Sequence, residues 1–184
     1  IFDRGKNIFY RHGEAERWVT KDDKGTLTGR IAAFIDHNTS HKNDQPTGGM
    51  GFFECINDQQ TAFFLFDTAR EWLKSKGMEA MDGPINFGET DKYWGLLVEG
   101  FTHPSFEISY NHKYYQDLFE SYGFKVYYKQ EGFHLDLTKK IPERIMKIAE
   151  HVIQKPGYRY EHFKWEKLEE QMQDFADVFN AAWA

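Results

Sequence analysis

Glu54 stands between Phe53 and Cys55 in the short apolar run 50–56. A carboxylate held against aromatic walls binds its proton more tightly because burial disfavours the ion, and it can then deprotonate an amine directly or through a water. Strand alternation equally allows Glu54 to face solvent. Cys55, the single cysteine, is a nucleophile if its thiol ionises and a small core residue if it packs with its apolar neighbours. Glu89, Asp91 and Glu99 fall in a long loop and are of a type that recognises a cationic substrate, although loop carboxylates are also commonly just solvated. His37 and His41 form a pair without a cysteine or a clear third ligand, so no metal is expected. Tyr122, Phe124, Tyr127 and Tyr128 offer faces on which bases could stack, but no basic groove accompanies them.

These side chains need a scaffold, and the local patterns describe one. Residues 16–21 and 26–35 read as two strands joined through Asp22-Asp23-Lys24-Gly25, where glycine supplies the positive φ of a short hairpin. A polar stretch, 36–49, cannot bury itself and reads as a surface loop before a third strand over 50–56. Residues 57–61 offer caps to a helix over 61–76, whose columns Phe64, Thr68, Trp72 and Leu65, Ala69, Leu73 form an apolar stripe ending at Gly77. A strand over 78–81 follows. The stretch 85–109 is aromatic and weakly periodic and reads as a functional loop. Helical spacing returns over 112–122, and 125–130 and 132–137 read as two further strands. Beyond Lys140, Pro142 opens an amphipathic helix carrying Ile145, Ile148, Ala149 and Val152; then come a strand-like 158–165 and a helical face of Leu168, Met172, Phe175 and Phe179.

Composition bounds what this scaffold can do. One complete core fits in 184 residues. An aromatic share of 17% means that large rings dominate that core. A net charge of -6 with both signs interspersed gives no field for a polyanion, so nucleic acid is not an expected partner. A single cysteine forms no intrachain disulfide, which fits a reducing compartment, and no apolar run approaches bilayer thickness; cytoplasmic location without membrane association is the expectation. Neither end looks native: the first residues resemble neither an initiator nor a signal peptide, and the last break off inside a helical pattern. Truncation at both ends is expected.

The order of these elements resembles the GNAT acyltransferase superfamily. The likeness rests on Gly29-Arg30-Ile31-Ala32-Ala33, Gly51-Phe52-Phe53-Glu54, the helix from Leu65 to Gly77, and the junction Leu118-Phe119-Glu120-Ser121-Tyr122-Gly123-Phe124, covering most of 16–137. Asp82-Gly83-Pro84-Ile85-Asn86-Phe87, Gly95-Leu96-Leu97-Val98-Glu99-Gly100-Phe101 and Tyr110-Asn111-His112-Lys113-Tyr114-Tyr115 are similar to a group of little-characterised bacterial proteins with two GNAT-like halves. The resemblance implies an α/β (α+β) fold: a GNAT-like mixed, mostly antiparallel twisted sheet flanked by helices. Residues 1–140 would be one such domain and 141–157 a connecting helix and turn. Residues 158–184 would begin a second similar unit, whose remainder would be a partner within the same chain.

The same resemblance implies a cleft where two strands splay and exposed strand backbone pairs with the amide-bearing arm of an acyl-coenzyme A. Phe53, Cys55 and Ile56 would supply that edge. Gln60, Thr61 and Ala62 would fall at the cofactor's pyrophosphate, and Asn86, Glu89, Tyr110 and Asn111 at the substrate. Departures are marked. The family's Gln/Arg-x-x-Gly-x-Gly/Ala positions fall on Asn57, Gln60 and Ala62, and Asp58 adds negative charge where an anion should sit. Acetyl-coenzyme A, or another acyl-CoA, is therefore expected to bind this half weakly or not at all. The tyrosine that protonates a departing thiolate in many members is replaced by Phe119, with Tyr114 and Tyr115 one turn earlier as stand-ins or as plain core rings. Glu54, Tyr114 and Tyr115 are the catalytic candidates. Two functions fit: acyl transfer to an unknown amine by the whole protein, or a non-catalytic domain that binds a small molecule or packs against its sister half.

Overall fold

A computed structural model of the protein describes every residue except 43, 89–91, 158–160 and 184, together with the side chain of 183. It divides into two compact units, Ile1–Tyr128 and Lys129–Ala184.

In the first unit, a single helical turn at Ile8–Arg11 precedes β1 (Gly13–Lys21) and β2 (Leu27–Asp36), which pair antiparallel. Asp22 closes their turn by accepting from the Lys24 and Thr26 amides at 2.9 and 2.8 Å, with Gly25 at φ +83°. β3 (Thr47–Cys55) pairs antiparallel with β2, α1 (Gln59–Ser75) follows, and β4 (Ala80–Asp82) joins the far side of β3 in parallel. α2 (Tyr114–Tyr122) completes the unit. The sheet order is therefore β1-β2-β3-β4, a mixed and mostly antiparallel sheet with helices, the GNAT-like α/β arrangement expected above.

The continuous run Ile31-Ala32-Ala33-Phe34-Ile35 is buried on both faces because β2 lies inside the sheet. Its odd positions join Met50, Phe53, Leu65, Phe66, Leu118 and Phe119 in the main core. Phe34 joins Ala15 and Phe87 in a smaller core. In α1 the buried positions are Ala62, Leu65, Phe66, Ala69 and Leu73, an arc of i, i+3, i+4 and i+7 relations. Each fully buried large side chain there contributes about 2 kcal/mol. Phe64 falls outside that arc and is exposed, contrary to the stripe expected from its column, whereas Trp72 is half-buried against Trp18, with ring centroids 6.1 Å apart. Gly77 at φ +83° ends α1, and Gly123 at φ +115° ends α2, each accepting a conformation that a Cβ disfavours.

Several elements differ from the sequence reading: besides shifts of one to three residues at the ends of β1, β2, α1, β4 and α2, the larger differences are these. β3 begins at Thr47, so the polar loop is shorter than expected. Pro142 is the N-cap of α3 (Glu143–Ile153) rather than its first residue. The described residues of 161–165 form no strand; a short turn at Trp165–Lys167 leads instead into α4 (Leu168–Trp183), and the rest of that expected strand lies outside the described residues. Residues 125–130 and 132–137 also form no strand. Val126, Tyr127, Tyr128, Phe133, Leu135 and Leu137 stay exposed, and no strand pairs with these segments among the described residues. In the second unit, Ile145, Met146, Ile148 and Ile153 of α3 and Met172, Phe175 and Phe179 of α4 are likewise exposed.

Candidate functional site

β4 pairs with β3 only at Thr47–Gly49 and ends at Asp82, while β3 runs on to Cys55. The strands part at that point because the chain after β4 turns across β3. Ile85 donates its amide to the Met50 carbonyl at 2.8 Å, and a Cβ on Gly51 would lie 1.9 Å from the Ile85 carbonyl oxygen. Only glycine admits so close a crossing. One residue later β3 bulges. Arg30 faces Glu54 and Ala32 faces Gly51, so Phe52 and Phe53 together stand against Ile31, with Phe52 at φ +53°. A positive φ in a bulky residue is backbone strain, and strain of this kind gathers at ligand-binding positions. No sequence signal in Gly51-Phe52-Phe53 announced it.

The far end of β3 is held by α2. Tyr115 accepts a hydrogen bond from the Cys55 amide at 3.0 Å, and Tyr114 donates its hydroxyl to the Cys55 carbonyl at 2.8 Å. Tyr115 is buried and its ring stands edge-on to Phe53. Tyr114 is half-buried, stacked on His112 with centroids 5.0 Å apart. Burial raises both phenols above their ordinary range, so they keep their protons at neutral pH. These catalytic candidates are thus brought together on one residue of β3. Glu54 is not with them. It is exposed, and Arg30 binds its carboxylate at 2.8 Å. Phe119 is buried among Phe53, Phe66 and Phe124 and brings no hydroxyl to the splay.

The cofactor-binding candidates separate by role. Phe53 and Cys55 are buried, Ile56 is exposed, and Ala62 is fully buried on the core-facing side of α1. Burial, followed by the Asp58 charge, pushes the Cys55 thiol up to about 11, which leaves it a protonated core residue and no nucleophile at neutral pH. Gln60 is exposed at the start of α1. Thr61 is engaged: the Asp58 carboxylate accepts from its amide and its hydroxyl, both at 2.7 Å, and these two bonds hold Asp58 below the usual carboxylate range. The first turn of α1 is therefore capped by a side-chain anion.

Among the substrate candidates, Asn86 is buried just past the crossing. Asn111 grips the long loop, accepting from the Leu97 amide at 2.8 Å and donating to the Leu97 carbonyl at 3.2 Å. Tyr110 is half exposed, with its ring edge-on to Phe101. Glu89 and Asp91 lie outside the described residues; Glu99 is exposed. Asp82, at the end of β4, was not singled out from sequence, yet burial raises its carboxyl above the usual range, and it stands where the strands part. Among the described residues no His, Cys, Asp or Glu cluster suited to a metal occurs, and no helix is long and apolar enough to cross a membrane.

A mixed sheet whose edge strand β4 stops well short of the end of β3, where one buried and one half-buried phenol meet Cys55, is the class of structure that the residues define. No family model matches the chain, and no solved structure matches it. It is similar to Protein YghO of Escherichia coli K12, at 29% identity over 177 residues, covering 91% of this chain and 43% of that protein. It is also similar to a protein of Caulobacter vibrioides named bacterial ceramide synthase, at 27% identity over 187 residues, covering 97% of this chain and 46% of that protein. The chain thus spans less than half the length of these curated relatives. The second similarity supports an acyltransferase-like relation.

Proposed function

We propose that the whole protein carrying this chain is a GNAT-like N-acyltransferase that joins an acyl group to the amino group of a long-chain amine, and that this chain forms one of two similar halves. The observation that carries the reading is the end of β3–β4 pairing at Gly49 and the chain crossing at Gly51, with a bulge at Phe52 and two phenol hydroxyls at the far end of β3. The relative named bacterial ceramide synthase supports the substrate class, since a ceramide is an amide of a long-chain amine.

The start of α1 does not fit an acyl-CoA diphosphate. Asp58 already occupies the Thr61 amide with a carboxylate, and a second anion at that place would meet both a filled donor and a like charge. The donor's phosphates would then be held by the other half. What this half contributes is a rigid edge at Phe53 and Cys55 and a wall of aromatic rings. Tyr114 and Tyr115 hold their protons beside that edge, and Asn111 fixes the loop at Leu97, next to Leu96, which packs against the main core. Glu54, engaged by Arg30 and open to solvent, is not the base in this reading. Phe119 and Asp58 also favour a second reading, in which this half is non-catalytic and serves as a small-molecule-binding or structural domain.

The test is amide formation by the full-length polypeptide, with acyl-CoA donors from acetyl to long-chain and a long-chain amine as acceptor, followed by mass spectrometry of the product. Turnover is expected. Its absence with every donor would leave the non-catalytic reading standing. Calorimetric titration of the present chain with acetyl-CoA is expected to give weak binding or none, and tight stoichiometric binding would defeat the argument from Asp58.

A further inference from the structure

α3 is an amphipathic helix whose apolar side is left open. At about 100° per residue, Ile145, Ile148, Ala149 and Val152, with Ile141 just ahead of the helix, form one stripe, widened on one side by Met146 and Ile153. No residue of the helix is buried, and Ile145, Ile148 and Ile153 are each more than half exposed. Positive charge surrounds that stripe. The whole chain carries a net charge of -6, yet residues 139–155 hold five cations, Lys139, Lys140, Arg144, Lys147 and Lys155, against two carboxylates, Glu143 and Glu150. Arg144 and Lys155 border the stripe beside Ile148, where long side chains lay their methylenes along apolar surface and keep their charges outside it. Lys147 holds Glu143 at 3.1 Å on the polar side, and Glu150 borders Met146. α4 differs. Met172, Phe175 and Phe179 on its apolar face are also exposed, but its charged residues, Glu169, Glu170, Asp174 and Asp177, are all carboxylates.

We infer that α3 is an interfacial helix that lies in the surface of an anionic lipid bilayer, with its apolar stripe among the acyl chains and its cations at the phosphates. Charge selects this partner. An anionic bilayer accepts an apolar stripe whose polar side is cationic, and it repels the equally bare but acidic α4. Protein interfaces are enriched in aromatic rings and depleted in lysine, whereas residues 139–155 hold four lysines and no phenylalanine, tyrosine or tryptophan. With 11 residues the helix is about 16 Å long, about half the hydrocarbon thickness of a bilayer, so it lies along the surface rather than through it. This departs from the expectation of no membrane association, which rested on the lack of a segment long enough to span; that lack bears on crossing alone. Surface docking does not depend on the acyl-transfer reading, although a long-chain amine and its amide would partition into the same bilayer.

The test uses the full-length polypeptide with vesicles of equal parts phosphatidylglycerol and phosphatidylcholine, and with pure phosphatidylcholine vesicles for comparison, read by co-sedimentation. Binding to the anionic vesicles is expected, weaker by about tenfold or more on the neutral ones and at high salt. Arg144→Gln/Lys155→Gln is expected to bind the anionic vesicles about 25-fold more weakly, about fivefold for each cation lost near the surface. Ile145→Glu/Ile148→Glu is expected to abolish binding and to melt within about 2 °C of wild type, as substitutions at exposed positions do. Phe175→Glu/Phe179→Glu in α4 should change binding less than about twofold. Equal binding to both kinds of vesicle, or binding to neither, overturns the inference. A large loss of stability in Ile145→Glu/Ile148→Glu, or the loss of a dimer, also overturns it, because protein then covers the stripe. Amide hydrogen exchange reads the wild-type protein without substitution: anionic vesicles are expected to slow exchange over 143–153 and not over 168–183, and no slowing over 143–153 refutes the docking. Binding is measured without acyl donor or amine, so its failure leaves the turnover assay untouched.

Discussion

Replacing Gly51 with alanine tests the geometry on which the site depends. A Cβ there would lie 1.9 Å from the Ile85 carbonyl oxygen, with the Ile85 carbonyl carbon at 3.0 Å and its nitrogen at 3.2 Å, whereas ordinary contact begins near 3.4 Å. The obstacle is backbone, so no side-chain rotation relieves it. Either β3 or the crossing segment must retreat by about 1.5 Å, and the Ile85 to Met50 hydrogen bond at 2.8 Å goes with it. Overpacking strain costs about 1 to 3 kcal/mol, and a lost buried backbone bond about 1 to 3 kcal/mol more. A total near 3 kcal/mol is about 10 °C in Tm for a chain of this size. Gly132 is the control, because a Cβ there meets nothing within 4 Å and its φ is not positive; Gly132→Ala should stay within about 0.5 kcal/mol of wild type. Differential scanning calorimetry or urea titration followed by circular dichroism measures both. If Gly51→Ala melts with Gly132→Ala, the crossing is not where the structure puts it, and the parting of β3 from β4 loses its cause.

Two further outcomes follow from side chains at the end of β3 and at the N-cap of α1. Cys55, buried and with its thiol pushed up to about 11, should resist alkylation by iodoacetamide at pH 8 in the native protein and react promptly in denaturant; equal rates in both states would show that the thiol is accessible and ionised. Asp58 is held below its ordinary value of 3.8 by the Thr61 hydroxyl and amide. A depressed carboxylate contributes stability that is complete above its unfolded value and is lost as pH falls through the folded one. Asp58→Asn should therefore be less stable than wild type near pH 6, with the gap closing below about pH 4. A gap that persists unchanged down to acid pH would show that the capping charge is not what the variant removed.

Local chemistry made most of the first unit legible. The hairpin was marked by Asp22 and Gly25, the ends of α1 by its polar first turn and Gly77, and the end of α2 by Gly123, because each depends on backbone conformation within a few residues. The same locality explains the failures. Nothing in the spacing of Phe64 distinguishes it from Leu65; the sheet that covers one and leaves the other bare is built from residues far away in sequence. The strands expected over 125–130 and 132–137 do not form, because a strand requires a neighbour and none pairs with these segments among the described residues.

For the site, residue types alone determined which side chains were worth suspecting. Glu54, Tyr114, Tyr115 and Cys55 carry chemistry wherever they stand, and Asp58 is an anion in any conformation. Their roles came from long-range contacts. Glu54 faces solvent because the bulge at Phe52 and pairing with Arg30 turn it there. Cys55 is inert because the packed core denies its thiolate water. The two phenols meet a strand about 60 residues earlier in sequence because α2 packs beside its end. Periodicity and capping operate over a turn or two of chain, so the sequence by itself determined the elements and their ends; hydrogen bonds and burial between distant segments exist only after folding, so the tertiary structure decided which of the candidate groups share a site.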